Sequence, residues 1–96
     1  MRLRVHLQSA MVSLSVENMV LKNNDDGKIF LEISCPNKDV YRFEYFTRAQ
    51  KDEDKFEKAC EAVFDALDSG RETFYLSLLD FAKVKFEKSG VRSCID

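Results

Sequence analysis

Ninety-six residues with 45% apolar side chains and eight Phe are enough for one domain with its own core and too few for two. A net charge of −2 within a 33% charged fraction excludes the basic excess that advertises nucleic acid over a whole chain. Cys35, Cys60 and Cys94 form no CxxC pair, and His6 is the only histidine, so neither a disulfide framework nor a clustered metal site is expected.

In chain order, Leu3, Val5 and Leu7 alternate with Arg2, Arg4 and His6, the period-two signature of a strand with one wet face. Gln8, Ser9, Ser13 and Ser15 break the unbroken apolar run of about 7–15 residues that a signal peptide needs. No stretch approaches the roughly 18 apolar residues of a membrane span, so a soluble, cytoplasmic protein is expected. Val12, Leu14 and Val16 resume the alternation in the other phase, which places a bulge or tight turn near Gln8–Ala10. A helix over 10–22 is disfavoured by the valine and serine content.

Asn23-Asn24-Asp25-Asp26-Gly27 reads as a hairpin turn, with Gly27 supplying a positive φ. As a calcium loop it fails, because Lys22 and Ile33 fall on the first and last ligand positions. Ile29, Leu31 and Ile33 alternate next, Cys35–Asp39 turns around the only proline, and Val40–Phe46 alternates again. Together with the run ending at Leu21, these predict an antiparallel meander.

From Lys51 to Gly70 the helix signals appear in order. Phe56, Ala59, Cys60, Val63, Phe64 and Leu67 recur at three- and four-residue steps and define one stripe. Asp52, Glu53 and Asp54 crowd the first turn, and Gly70 stands where a left-handed cap ends a helix. Lys51–Lys58 is read as a solvated helix face, with Asp54–Lys58 as an i,i+4 pair.

The last segment is open to two readings. Residues 70–89 hold Phe74, Tyr75, Leu78, Leu79, Phe81, Ala82 and Phe86 in one helical sector, with capping-box spacing at Ser69–Glu72 and Gly90 as a stop. As a long strand, Phe74, Leu76, Leu78, Ala82, Val84 and Phe86 share a parity broken only by Asp80. Length favours the helix, with Lys83, Lys85 and Lys88 offsetting its dipole.

The expected fold is therefore α+β in two layers. An antiparallel meander of about four strands over residues 2–47 is covered on one face by a helix at 51–68 and by a second helix at 70–89. Residues 1–90 form the domain and 91–96 a tail, with Leu31, Ile33 and Phe43 in the core. Strand Val40–Thr47 followed by an amphipathic helix resembles the end of a pleckstrin-homology domain over under a third of the chain. That helix's usual tryptophan is missing, and the residues before it are too few for that fold's strands, so the chain is not assigned to the family.

For function, GxSxG, HExxH and a glycine-rich phosphate loop are all missing, and Gly27, Gly70 and Gly90 are each taken by a turn or cap. No catalytic residue, cofactor, metal or small-molecule substrate is inferred. A sheet covered on one side exposes its other face, which here carries Phe30, Val40, Arg42 and Phe46. The expected function is a small non-catalytic protein-binding module (inhibitor, adaptor or subunit) that meets another protein or a second copy of itself through these residues. The alternative is single-stranded nucleic-acid binding on Tyr41, Phe43 and Tyr45, with Lys38, Arg42 and Arg48 beside them.

Overall fold

Residues 2–47 alternate apolar and polar side chains through five strands: β1 (Arg2–His6), β2 (Met11–Ser15), β3 (Asn18–Asn23), β4 (Lys28–Ser34) and β5 (Val40–Phe46). Helix α1 (Gln50–Asp68) and strands β6 (Thr73–Ser77) and β7 (Val84–Ser89) follow. The computed structural model describes residues 1–23, 26–81 and 83–89. No helix among them is long and apolar enough to cross a membrane.

The strands form two sheets, β2-β1-β6 and β3-β4-β5-β7. β1 and β2 make a tight hairpin in which the Leu7 N–H donates to the Ala10 carbonyl at 2.8 Å. At Val16–Glu17 the chain passes from one sheet to the other. The Val16 N–H still bonds the Met1 carbonyl (2.7 Å), while the Glu17 N–H already bonds that of Ser34 (2.8 Å). The second sheet is antiparallel throughout, and Leu31 faces Phe43 across β4 and β5. Gly27, at φ +84°, lets the β3–β4 turn approach the end of β5, where the Thr47 N–H donates to its carbonyl at 2.8 Å. A Cβ at Gly27 would run into the Thr47 carbonyl oxygen.

Both sheets and the helix share one apolar cluster. Leu3, Val5, Leu76 and Leu78 enter it from the first sheet, Ile29, Leu31, Ile33 and Phe43 from the second. The helix contributes Phe56, Cys60, Val63 and Ala66 as buried residues, while Ala59, Phe64 and Leu67 are only partly covered. The expected stripe is thus rotated slightly, bringing Ala66 in and turning Phe64 partly out. Phe56 sits between Tyr45 (5.3 Å between ring centroids) and Phe81 (5.2 Å). The helix ends as its sequence indicates: Gly70 adopts φ +76°, its N–H bonds the Leu67 carbonyl, and the Arg71 N–H bonds that of Ala66.

A helix packed on a mostly antiparallel sheet gives the α+β, two-layer arrangement. Two expectations need correction. Residues 2–47 hold five strands divided between two sheets, because β1 and β2 leave the meander for a separate sheet in which β1 also pairs with β6. The second helix expected over 70–89 is the pair β6 and β7, and a single long strand is equally excluded. Phe74 and Leu76 have a ladder partner in β1, which runs parallel to β6 with Leu3 opposite Phe74 and Val5 opposite Leu76. Asp80 then falls in a turn where the Phe81 N–H bonds the Leu78 carbonyl at 3.2 Å. With no helix there, Ser69–Glu72 caps nothing, and two of the three lysines have other partners: Lys85 pairs with Glu87 (2.7 Å) and Lys88 with Asp39 (3.2 Å). The expected stop at Gly90, the 91–96 tail, Cys94 and the Asn24–Asp25 part of the turn lie outside the described residues.

Candidate functional site

The outer face of the four-stranded sheet carries the four residues singled out in the sequence. Because Leu31 and Phe43 point inward, their strand neighbours Phe30, Glu32, Arg42 and Glu44 point outward, as do Val40 and Phe46. Glu32 lies opposite Arg42, and the two meet at 2.7 Å while Lys22 reaches the other carboxylate oxygen at 3.1 Å. The Arg42 hydrogen bond, followed by that of Lys22, holds the Glu32 carboxyl below the usual range against a small opposing effect of burial. The Arg42 guanidinium also lies 5.1 Å from the centre of the Phe30 ring, and its buried Nε has no hydrogen-bond partner among the described residues.

Phe30 is therefore half-covered by Arg42, Val40 is half-buried, and the middle of this face is closed by its own cross-strand ion pairs. Phe46 alone of the four stands well out, at 47% exposure, with the Arg48 guanidinium 5.5 Å from its ring. Beside it is an open cleft of about 530 Å³ whose lining includes Asn23, Arg48, Gln50 and Glu53.

The aromatic strand points the other way. Phe43 is fully buried, Tyr41 stacks on Phe86 at 5.5 Å, and Tyr45 stacks on Phe56 and meets Phe81 edge-on at 5.0 Å. These rings line the sheet face that meets the core, so they form no outward platform.

The outer face of the three-stranded sheet brings together residues far apart in the chain. Its three columns are Ser15, Ser13 and Met11 on β2, Arg2, Arg4 and His6 on β1, and Thr73, Tyr75 and Ser77 on β6. Arg4 lies between Ser13 and Tyr75, and His6 lies between Met11 and Ser77. The His6 Nδ1 and the Tyr75 hydroxyl are 2.6 Å apart, with their rings edge to face. Met11 (42% exposed) and Tyr75 (49%) are large apolar side chains that this face leaves open, and Leu79 (39%) is exposed in the turn after β6. The Gln8 side-chain amide donates to the Leu79 carbonyl at 2.9 Å and ties the β1–β2 turn to that end.

No carboxylate lies in the three columns. Glu17 and Glu72 follow β2 and precede β6, and neither forms an ion pair with Arg2 or Arg4 among the described residues. Arg71 precedes β6 at its edge, with its guanidinium 5.6 Å from the ring of Phe74, which faces the core. An open cavity of about 360 Å³ lies between Arg4, Arg71, Thr73, Phe74 and Tyr75.

The two described thiols, Cys35 and Cys60, are buried. Burial, with smaller contributions from Glu57 and Glu61, pushes the Cys60 thiol up to about 12, and burial also raises that of Cys35. No group of three or more His, Cys, Asp or Glu side chains gathers to hold a metal ion among the described residues.

The alternation of Arg2, Arg4 and His6 marks β1's wet face in the sequence, and the first acid is Glu17. Tyr75 and Leu79 were beyond reach there, because the helical reading of 70–89 separates them from β1. Set against protein-family models, curated proteins and solved structures, the chain matches none.

Proposed function

We propose that this protein is a non-catalytic protein-binding module, acting as an inhibitor, adaptor or subunit of a larger assembly, and that it binds through the outer face of its three-stranded sheet. One observation carries the reading. Tyr75 is exposed beside Arg4, Met11 is exposed beside His6 on the same face, and Arg2 and Arg4 have no ionic partner among the described residues. Tyr, Met and Arg are the side chains enriched at protein interfaces, where they combine large contact area with hydrogen bonding. On the opposite sheet, Phe30 and Arg42 are occupied with each other and with Glu32, so that face has less to offer a partner.

Affinity capture from the native cell tests this with three baits: the wild type, Met11→Asp/Tyr75→Asp and Phe46→Asp. The expected result is one partner held by the wild type and by Phe46→Asp and lost by the double variant, with all three baits folded by circular dichroism. Loss on Phe46→Asp alone would move the contact to Phe30, Val40, Arg42 and Phe46. A wild-type bait that retains nothing above the double variant overturns the proposal.

A further inference from the structure

The size, charge and edge of this face narrow what it accepts. Three strands at about 4.8 Å spacing and five residues at about 3.3 Å each cover roughly 14 by 16 Å. That is about a third of the roughly 800 Å² per partner that a standard protein–protein interface buries. The area suits an extended segment of a few residues better than the flat side of a second folded domain.

Within the three columns the charge is one-signed, with Glu17 and Glu72 only at the margin. Arg2, Arg4 and Arg71 have no ion-pair partner among the described residues, and no carboxylate lies in the three strand columns. Among the described residues the β6 edge is unpaired as well. The β1–β6 ladder runs from the Arg2 N–H on the Glu72 carbonyl to the Leu78 N–H on the His6 carbonyl, both 2.8 Å. Phe74 and Leu76 therefore bond β1, and the N–H and C=O groups of Thr73, Tyr75 and Ser77 turn to the free edge. β6 has no charge or proline to guard that edge, whereas the outer strands of the other sheet carry Lys22 on β3 and Lys85, Glu87 and Lys88 on β7.

We infer that an acidic, extended segment of a partner protein adds as a strand along β6. Its carboxylates lie on Arg4 and Arg71, and an apolar side chain fills the cavity against Phe74 and Tyr75. The inference rests on the reading of this face as the contact surface and adds the chemistry of what it holds. A single-stranded nucleic acid is the other polyanion to consider. Three arginines flanked by Glu17 and Glu72 make a short phosphate track on a chain of net charge −2, which favours the peptide.

The test is fluorescence anisotropy on the full chain with three labelled probes: an alternating Glu–Val octapeptide, the matching Lys–Val octapeptide, and an oligothymidylate of equal length. The Glu–Val peptide should bind, and the Lys–Val peptide should not. Binding should weaken about tenfold or more in Arg4→Glu/Arg71→Glu, and also when salt is raised from about 50 to about 500 mM. Thr73→Pro removes one outward N–H at a position where an edge strand tolerates proline, and it should weaken binding while leaving the protein folded. Equal affinity for the acidic and basic peptides, tighter binding of the oligonucleotide, or a folded Thr73→Pro that binds like the wild type would each overturn the inference. A captured partner lost on Met11→Asp/Tyr75→Asp and kept on Arg4→Glu/Arg71→Glu would leave the contact face standing and remove the acidic segment.

Discussion

Phe56 joins the helix to both ends of the core through a single side chain. It is fully buried, stacks on Tyr45 and meets Phe81 edge-on, so its removal leaves a cavity bounded by rigid rings that cannot collapse into it. Phe56→Ala should cost about 3–5 kcal/mol. Phe64, one of the six expected stripe residues, is only half-buried. Its truncation should cost less than about 2 kcal/mol, since part of the ring already meets water. Urea denaturation of the two variants decides the matter, and equal shifts in midpoint would mean the helix faces the core differently.

Helix α1 shows what a sequence discloses readily and what it hides. Its apolar stripe, acidic first turn and terminal Gly70 all act within a few residues of one another, so the element and its end are legible directly. β6 and β7 are not, because the group that makes β6 a strand is β1, with His6 and Tyr75 meeting across 69 residues of sequence. The same distance hides half the candidate surface. Arg2, Arg4 and His6 are visible as a wet strand face, but Tyr75 and Leu79 join them only through the parallel ladder.

The helix also works against itself electrostatically. Glu53, Glu57, Glu61, Asp65 and Asp68 follow at steps of four and three, and its last turn holds no base. Burial and the neighbouring Glu53, Asp54 and Glu61 push the Glu57 carboxyl up. Asp65→Lys would put a cation at the negative end of the dipole and turn an i,i+4 repulsion with Glu61 into an attraction. The expected gain is about 0.5–1 kcal/mol, read as a higher melting temperature at low salt. An unchanged melting temperature would show that these acids are already screened.

Over the whole molecule, one core is closed by elements from both ends of the chain. Leu3 and Val5 lie against Phe74 and Leu76, and Leu78 and Phe81 fill the same cluster as Ile29 and Phe43. The first 70 residues alone would keep the meander and the helix yet lose Leu76, Leu78 and Phe81 together, and β5 would lose its β7 partner. That fragment should lack a cooperative thermal transition in circular dichroism. A sharp transition near that of the full chain would show that β3, β4, β5 and α1 are a folding unit without the first sheet.

The parallel ladder also has a consequence in time. β1 is the central strand of its sheet, yet β6, its second neighbour, is made about 70 residues after it. At about 5–20 residues per second, roughly 4–14 s separate the two, during which one edge of a Leu-Val-Leu strand has no native neighbour. Arg2 and Arg4 interrupt that strand at alternate positions, and a charged residue on an open edge discourages two nascent chains from zipping together. The arginines without ionic partners among the described residues thus stand where a charge discourages edge pairing until β6 is made.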